Sequence, residues 1–131
     1  MSKPFYITTP LYYVNAPPHL GGMYTTMVAD TIARYKRMMG FDVKFFCGTD
    51  EHGQKIERSA KAEGTDPKSL ADRVYVQYVD LWKKIGIEYD EFVRTTEKRH
   101  HESVAELYRR AKAAGYIYKG EYSGWYCVSC E

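Results

Sequence analysis

No run of apolar residues in this sequence approaches the roughly 18–20 that a membrane span needs, and no leader pattern opens the chain. A membrane partner is therefore not expected, and a cytoplasmic location is. Cysteine is scarce, at 3 residues in 131, which reads as a reducing compartment rather than a secreted one. Neither sign of charge dominates: 19 Lys+Arg stand against 17 Asp+Glu, a net charge of +2. That balance gives no electrostatic footprint for nucleic acid, so if RNA is handled, this stretch need not be the part that holds it. Internal repeats, low-complexity tracts and Gly/Ser linkers are also missing. What remains is an ordinary globular composition, 44% hydrophobic and 27% charged, which argues against disorder. The length fits one domain, or one domain with part of a second.

Strand and helix patterns alternate along the chain. Phe5-Tyr6-Ile7-Thr8-Thr9 is a short β-rich run, and Pro10 and Asn15-Ala16-Pro17-Pro18 are loop chemistry. From Met23 the pattern is helical, with Met23, Met27, Val28, Ile32, Tyr35 and Met39 on one face and Gly40 as the stop. Asp42 to Gly48 reads as a second strand, and residues 54–63 as a short helix. Thr65-Asp66-Pro67 starts another helix, with Leu70, Val74, Tyr78, Leu81, Trp82 and Ile85 on one face up to Gly86. Glu91 to Thr95 is a third strand. Thr96-Glu97 caps a last helix running through Ala114 to Gly115, and aromatic-rich Tyr116 to Tyr126 predicts a hairpin. This rhythm predicts an α/β fold with a parallel sheet. The terminal hairpin reads as the start of an insertion or second module.

Four features could carry chemistry. His19-Leu20-Gly21-Gly22 stands at a strand-to-helix junction, where a helix start offers N–H groups to an anion and His19 could donate to phosphate. The plain alternative, and the better one for these four residues alone, is a structural turn with a surface histidine. In Gly48-Thr49-Asp50-Glu51-His52-Gly53, Asp50 could hold an ammonium group and His52 could contact a ribose or a carboxylate. The plain alternative is a solvated acidic turn. Leu11, Tyr12 and Tyr13 could wall a pocket for a small apolar side chain, or simply pack a loop. Cys127 and Cys130 have the spacing of half a zinc site, with a redox pair, a disulfide or unrelated thiols as alternatives. Cys47, in an apolar strand, reads as a core residue. The sequence stops one residue after Cys130, so a longer polypeptide is expected.

Taken together, these blocks resemble one family. Thr9-Pro10-Leu11-Tyr12-Tyr13-Val14-Asn15-Ala16-Pro17-Pro18-His19-Leu20-Gly21 is similar to the first signature of class I aminoacyl-tRNA synthetases in its methionyl form. Gly48 to Gly53, Asp66-Pro67, Phe92 to Thr96, and Tyr126 to Glu131 match blocks of methionyl-tRNA synthetases in the same order. The resemblance implies the first half of a Rossmann-like nucleotide-binding fold over residues 1–115. Residues 116–131 would then begin a connective insertion with a zinc knuckle.

The implied activity is ATP-dependent attachment of methionine to tRNA(Met) through methionyl-adenylate, with ATP used as its Mg complex. By the same likeness His19 is the catalytic residue, and His19, Gly21 and Gly22 bind ATP. Leu11 and Tyr13 line the methionine pocket, Asp50 holds the substrate ammonium, and Cys127 and Cys130 bind structural zinc. The tRNA would be met by parts outside this chain. Gly22 departs from the pattern, which usually has histidine there, and neither a K-M-S-K-S loop nor a second cysteine pair is present. The isolated chain is therefore expected not to aminoacylate. Two other readings are a different class I synthetase and a nucleotide- or zinc-binding module without ligase activity.

Overall fold

The computed structural model describes residues 2–127. Its elements are β1 (Pro4–Tyr13), α1 (Leu20–Met38), β2 (Asp42–Asp50), α2 (Gln54–Ala62), α3 (Pro67–Lys84), β3 (Glu91–Arg94) and α4 (Lys98–Ala113). The strands form one parallel sheet in the order β1-β2-β3, so the predicted α/β arrangement is observed.

β1 runs longer than the Phe5–Thr9 expectation because it passes through Pro10. Proline has no N–H for the ladder, and the β1–β2 register shifts between Thr8 and Leu11. The irregularity absorbs the proline and lets pairing resume at Leu11↔Gly48 and Tyr13↔Asp50.

The core lies on one face of the sheet. Val43, Phe45 and Cys47 of β2 point into a cluster with Ala29 and Ala33 of α1, Ile56 and Ala60 of α2, and Leu70, Val74, Tyr78 and Trp82 of α3. Of the predicted α3 stripe, Leu70, Val74, Tyr78 and Trp82 are buried and Leu81 partly so, while Ile85, past the last helical residue, is exposed. The helix start is set by Asp66 accepting from the Ser69 N–H at 3.0 Å with Pro67 in the first turn. In α1 the expectation is corrected. The helix starts at Leu20 with His19 as its cap, and Gly22, Thr26, Ala29, Asp30 and Ala33 are its buried residues. Met27, Val28, Ile32, Tyr35 and Met39 are exposed. Small residues let the helix axis sit close to the sheet, which turns the large apolar stripe outward. Gly40, at φ 80°, ends α1, with its N–H donating to Arg37 O at 3.0 Å.

Two further expectations fail near the end of the chain. Thr96 does not cap α4; its hydroxyl donates to Glu51 instead, and Glu97 occupies the cap position without a side-chain bond. Residues 116–127 contain no strand. Tyr116, Tyr118, Tyr122, Trp125 and Tyr126 are all exposed, and an isolated hairpin with nothing to pack on has little to hold it.

Phe45 and Trp82 are fully buried, at the centre of this one-sided core. Phe45→Ala is expected to lower unfolding free energy by about 3–5 kcal/mol, measured by denaturant titration. A loss below about 1 kcal/mol would mean the core is not packed as described.

Candidate functional site

Parallel α/β sheets present their ligand-facing groups at the carboxyl ends of the strands, and here those ends gather most of the candidate residues. Leu11, Tyr13 and His19 line a single cavity of about 250 Å³, together with Tyr12, Asn15, Ala16, Lys55 and Tyr78. Asp50 is the register partner of Tyr13, so it stands beside that cavity. Gly48, two residues earlier on the same side of β2, pairs with Leu11 on one flank and Val93 on the other. A Cβ at Gly48 would fall 2.1 Å from the Val93 carbonyl oxygen and 2.9 Å from Leu11 Cδ2. Only glycine fits that crowded row. Below it the outer sheet face is shallowly hollowed, with Tyr6, Thr8, Leu11, Phe46 and Val93 among the lining residues.

The helix start meets the cavity from the β1 side. His19 Nδ1 accepts from the Gly21 N–H at 3.1 Å, which caps α1 and leaves the ring's other nitrogen directed elsewhere. The first turn of α1 carries no acidic residue, so nothing local offsets its positive end. Gly22 is buried against the Tyr12 ring, where an added Cβ would lie 3.3 Å away. The Tyr12 hydroxyl donates to Gly22 O at 3.1 Å. Tyr12 is stacked on Tyr78 at 5.6 Å between ring centroids and meets Trp82 edge-on at 6.1 Å. Of the three aromatic-region residues, Tyr12 therefore packs the junction while Leu11 and Tyr13 face outward.

The structure separates some residues that the sequence groups. His52 lines a different cavity, of about 490 Å³, with Thr95, His100, His101, Val104, Ala105, Tyr108 and Arg109. Its Nε2 lies 3.4 Å from Thr95 O. Cys47 is 1% exposed, and burial pushes its thiol up to about 12, as a core residue requires. Cys127 is exposed, and Cys130 lies outside the described residues. Among the described residues, no three His, Cys, Asp or Glu side chains assemble into a metal site, and no helix is long and apolar enough to cross a membrane.

Two features escaped the sequence reading. Lys55, in the first turn of α2, brings Nζ to 5.5 Å from the centroid of the Tyr13 ring, placing a cation at the cavity that also holds His19. Its position two residues after the Gly48–Gly53 block was the available signal. The second is Glu51, whose side chain is fully buried. It accepts from Arg94 Nε at 2.6 Å and Nη2 at 3.1 Å, from Thr49 Oγ1 at 2.8 Å, and from the Thr96 hydroxyl. Burial pushes the Glu51 carboxyl up, but the bonds from Arg94, Thr96 and Thr49 outweigh it and hold the pKa below the usual 4.5.

A depressed folded-state pKa means that Glu51 contributes its stability fully above the unfolded value. That contribution is lost as pH falls through the folded value. Unfolding free energy is therefore expected to drop below about pH 4.5. Glu51→Gln should flatten that acid limb while lowering stability at neutral pH by about 3–5 kcal/mol, since Arg94 loses its buried partner. Denaturant midpoints measured across pH 3–7 check this, and an unchanged acid limb in the variant would contradict it.

The comparisons with known proteins point to one family. Residues 5–131 match the family model described as "tRNA synthetases class I (M)". The chain is 54% identical over 127 residues to a methionine–tRNA ligase of Thermotoga maritima, covering 97% of this chain and 20% of that protein. It is 53% identical over 127 residues to the chloroplastic/mitochondrial methionine–tRNA ligase of Arabidopsis thaliana, covering 97% of this chain and 21% of that protein. It superposes with a TM-score of 0.92 and 46% identity on Mycobacterium tuberculosis methionyl-tRNA synthetase in complex with methionyl-adenylate. That match covers 97% of this chain and 25% of the other. The chain thus spans about a fifth to a quarter of the length of the relatives it matches. A parallel sheet whose strand ends collect Leu11, Tyr13, Asp50 and His19, matched along nearly its whole length at about half identity, belongs to the methionine-type class I tRNA synthetase family.

Proposed function

We propose that this chain is the amino-terminal catalytic segment of a methionine–tRNA ligase, activating methionine with ATP and serving its transfer to tRNA(Met). The observation that carries the reading is the juxtaposition of Leu11, Tyr13 and Asp50 on the outer face of the strand ends, beside a helix start capped by His19. Residues 1–115 would form the first part of the nucleotide-binding domain, and residues 116–131 would begin the connective insertion.

In this reading Leu11 and Tyr13 make an apolar wall for the thioether side chain, which has no strong hydrogen-bonding handle and is recognised by shape. Asp50 accepts the substrate ammonium in a charge-assisted bond. That leaves the methionine carboxylate turned toward the nucleotide, where it attacks the α-phosphate of ATP and displaces pyrophosphate. His19, with the Gly22 N–H and the positive end of α1, faces the phosphates and disperses their developing charge, while Gly21, whose N–H is held by His19 Nδ1, lets the nucleotide approach the backbone closely. Lys55, over the Tyr13 ring, adds a cation to the same cavity. Catalysis then rests on positioning and electrostatics, with no covalent enzyme intermediate. Mg accompanies ATP. Cys127 and Cys130 would supply two thiolates to a structural zinc, which would serve to hold the insertion together. His52, in its separate cavity, is set apart from this group.

Asp50→Ala tests the reading. In a full-length ligase carrying this segment, it is expected to weaken methionine binding by about 1.5–3 kcal/mol, the worth of a hydrogen bond to a charged group. ATP affinity should be nearly unchanged. Separate titrations of the two substrates decide it: intact methionine affinity with damaged ATP affinity would refute the assignment.

A further inference from the structure

The last residues of β2 alternate across the sheet, as a strand requires. Thr49 and Glu51 turn inward, 0% and 3% exposed, while Asp50 between them faces the side shared with Tyr13. The Asp50 carboxylate has a weak hold of its own, since the His52 N–H reaches its Oδ1 only at 3.5 Å. Where that carboxylate sits is therefore decided by the backbone on either side of it.

That backbone is tied down from beneath. The Glu51 N–H donates to Thr95 Oγ1 at 2.9 Å, and the Thr95 N–H donates to Thr49 O at 3.3 Å. The Glu51 carboxylate takes the bonds from Thr49, Arg94 and Thr96 already described. Arg94 is anchored in turn on α3, with Nη2 2.5 Å from Asp72 Oδ1 and its guanidinium 4.4 Å from the Tyr75 ring centroid. A buried ion pair gives little net stability compared with apolar residues of similar volume, so stability alone is a poor reason to keep one here. Its charge also matters locally. An unpaired carboxylate at Glu51 would compete with Asp50 for a cation one residue away, and Arg94 neutralises it.

We propose that Glu51 and Arg94 are positioning residues for the amino-acid site, a buried pair that fixes the Asp50 backbone and leaves Asp50 as the sole carboxylate reading the substrate ammonium. The proposal rests on the assignment of Asp50 made above. It predicts an effect on methionine rather than on ATP, transmitted through Asp50.

The test is methionine-dependent ATP–pyrophosphate exchange in a full-length ligase carrying this segment, with Glu51→Gln, Asp50→Ala and the double variant. Glu51→Gln is expected to raise the methionine KM about tenfold, as small displacements of a binding group do. The ATP KM should stay within about twofold of the parent. In the Asp50→Ala background, Glu51→Gln should add less than about twofold, because groups acting through one contact are not additive. Thr96→Val, which removes one donor and keeps the ion pair, should shift the methionine KM in the same direction by about threefold, and it carries the comparison if Glu51→Gln fails to fold. Equal increases in both KM values, or full additivity with Asp50→Ala, would overturn the proposal and leave the pair a purely structural tie. Asp50→Ala with an unchanged methionine KM would instead overturn the ammonium assignment, and the proposal with it.

Discussion

The buried contact between Glu51 and Arg94 is the constraint on which the strand ends depend. β3 is only four residues long, and its pairing with β2 is correspondingly short. The ion pair and the threonines around it continue that junction past the last ladder bonds, and Asp72 and Tyr75 tie it to α3. Removing either charge would leave the other in a site that excludes water, which is why the pair behaves as a unit. The acidic residue that looks most ordinary in the Gly48–Gly53 block is therefore the structural one. Its neighbour Asp50 is half-buried on the other side of the strand, the position that the proposed role requires.

One face of the sheet is a packed core and the other carries the candidate site. Phe45, Tyr78 and Trp82 fill the first with α1 and α3 against it. On the second, Tyr6 is 63% exposed in an edge-on contact with Phe46, and Leu11, Tyr13, Gly48 and Asp50 follow toward the strand ends. Parallel sheets are ordinarily covered on both sides. Here the face that carries Leu11, Tyr13 and Asp50 is the less covered one.

Much of this was legible in the sequence because local rules and tertiary packing agree. Asp66-Pro67 and the Leu70–Val74–Tyr78–Trp82 stripe fix α3 unambiguously, and the ordered blocks around His19 and Asp50 point to the site. The misses have physical causes. In α1 the hydrophobic period is real, but the sheet selects the small-residue face, since Thr26, Ala29 and Ala33 allow closer approach than Met27 or Ile32. Thr96 was assigned to helix capping in the sequence, where its hydroxyl oxygen would accept from the first N–H groups of the helix; in the structure the hydroxyl turns to donate to the buried Glu51 carboxylate, which needs every donor within reach. His52 sits one residue from Glu51, yet the turn after β2 carries it to the α4 side. The pairing of Glu51 with Arg94 spans 43 positions, a distance that no local pattern in one sequence reveals.

Amide hydrogen exchange at Glu51 and Thr95 reads this constraint most directly. Both N–H groups lie in the tie between β2 and β3, bonded to Thr95 Oγ1 and Thr49 O. If the ion pair holds the strand ends, both amides are strongly protected, and Arg94→Met releases them while the Phe45 amide, bonded to Asp90, keeps its protection. Unchanged protection of Glu51 and Thr95 in that variant would show that the strand ends hold without the pair.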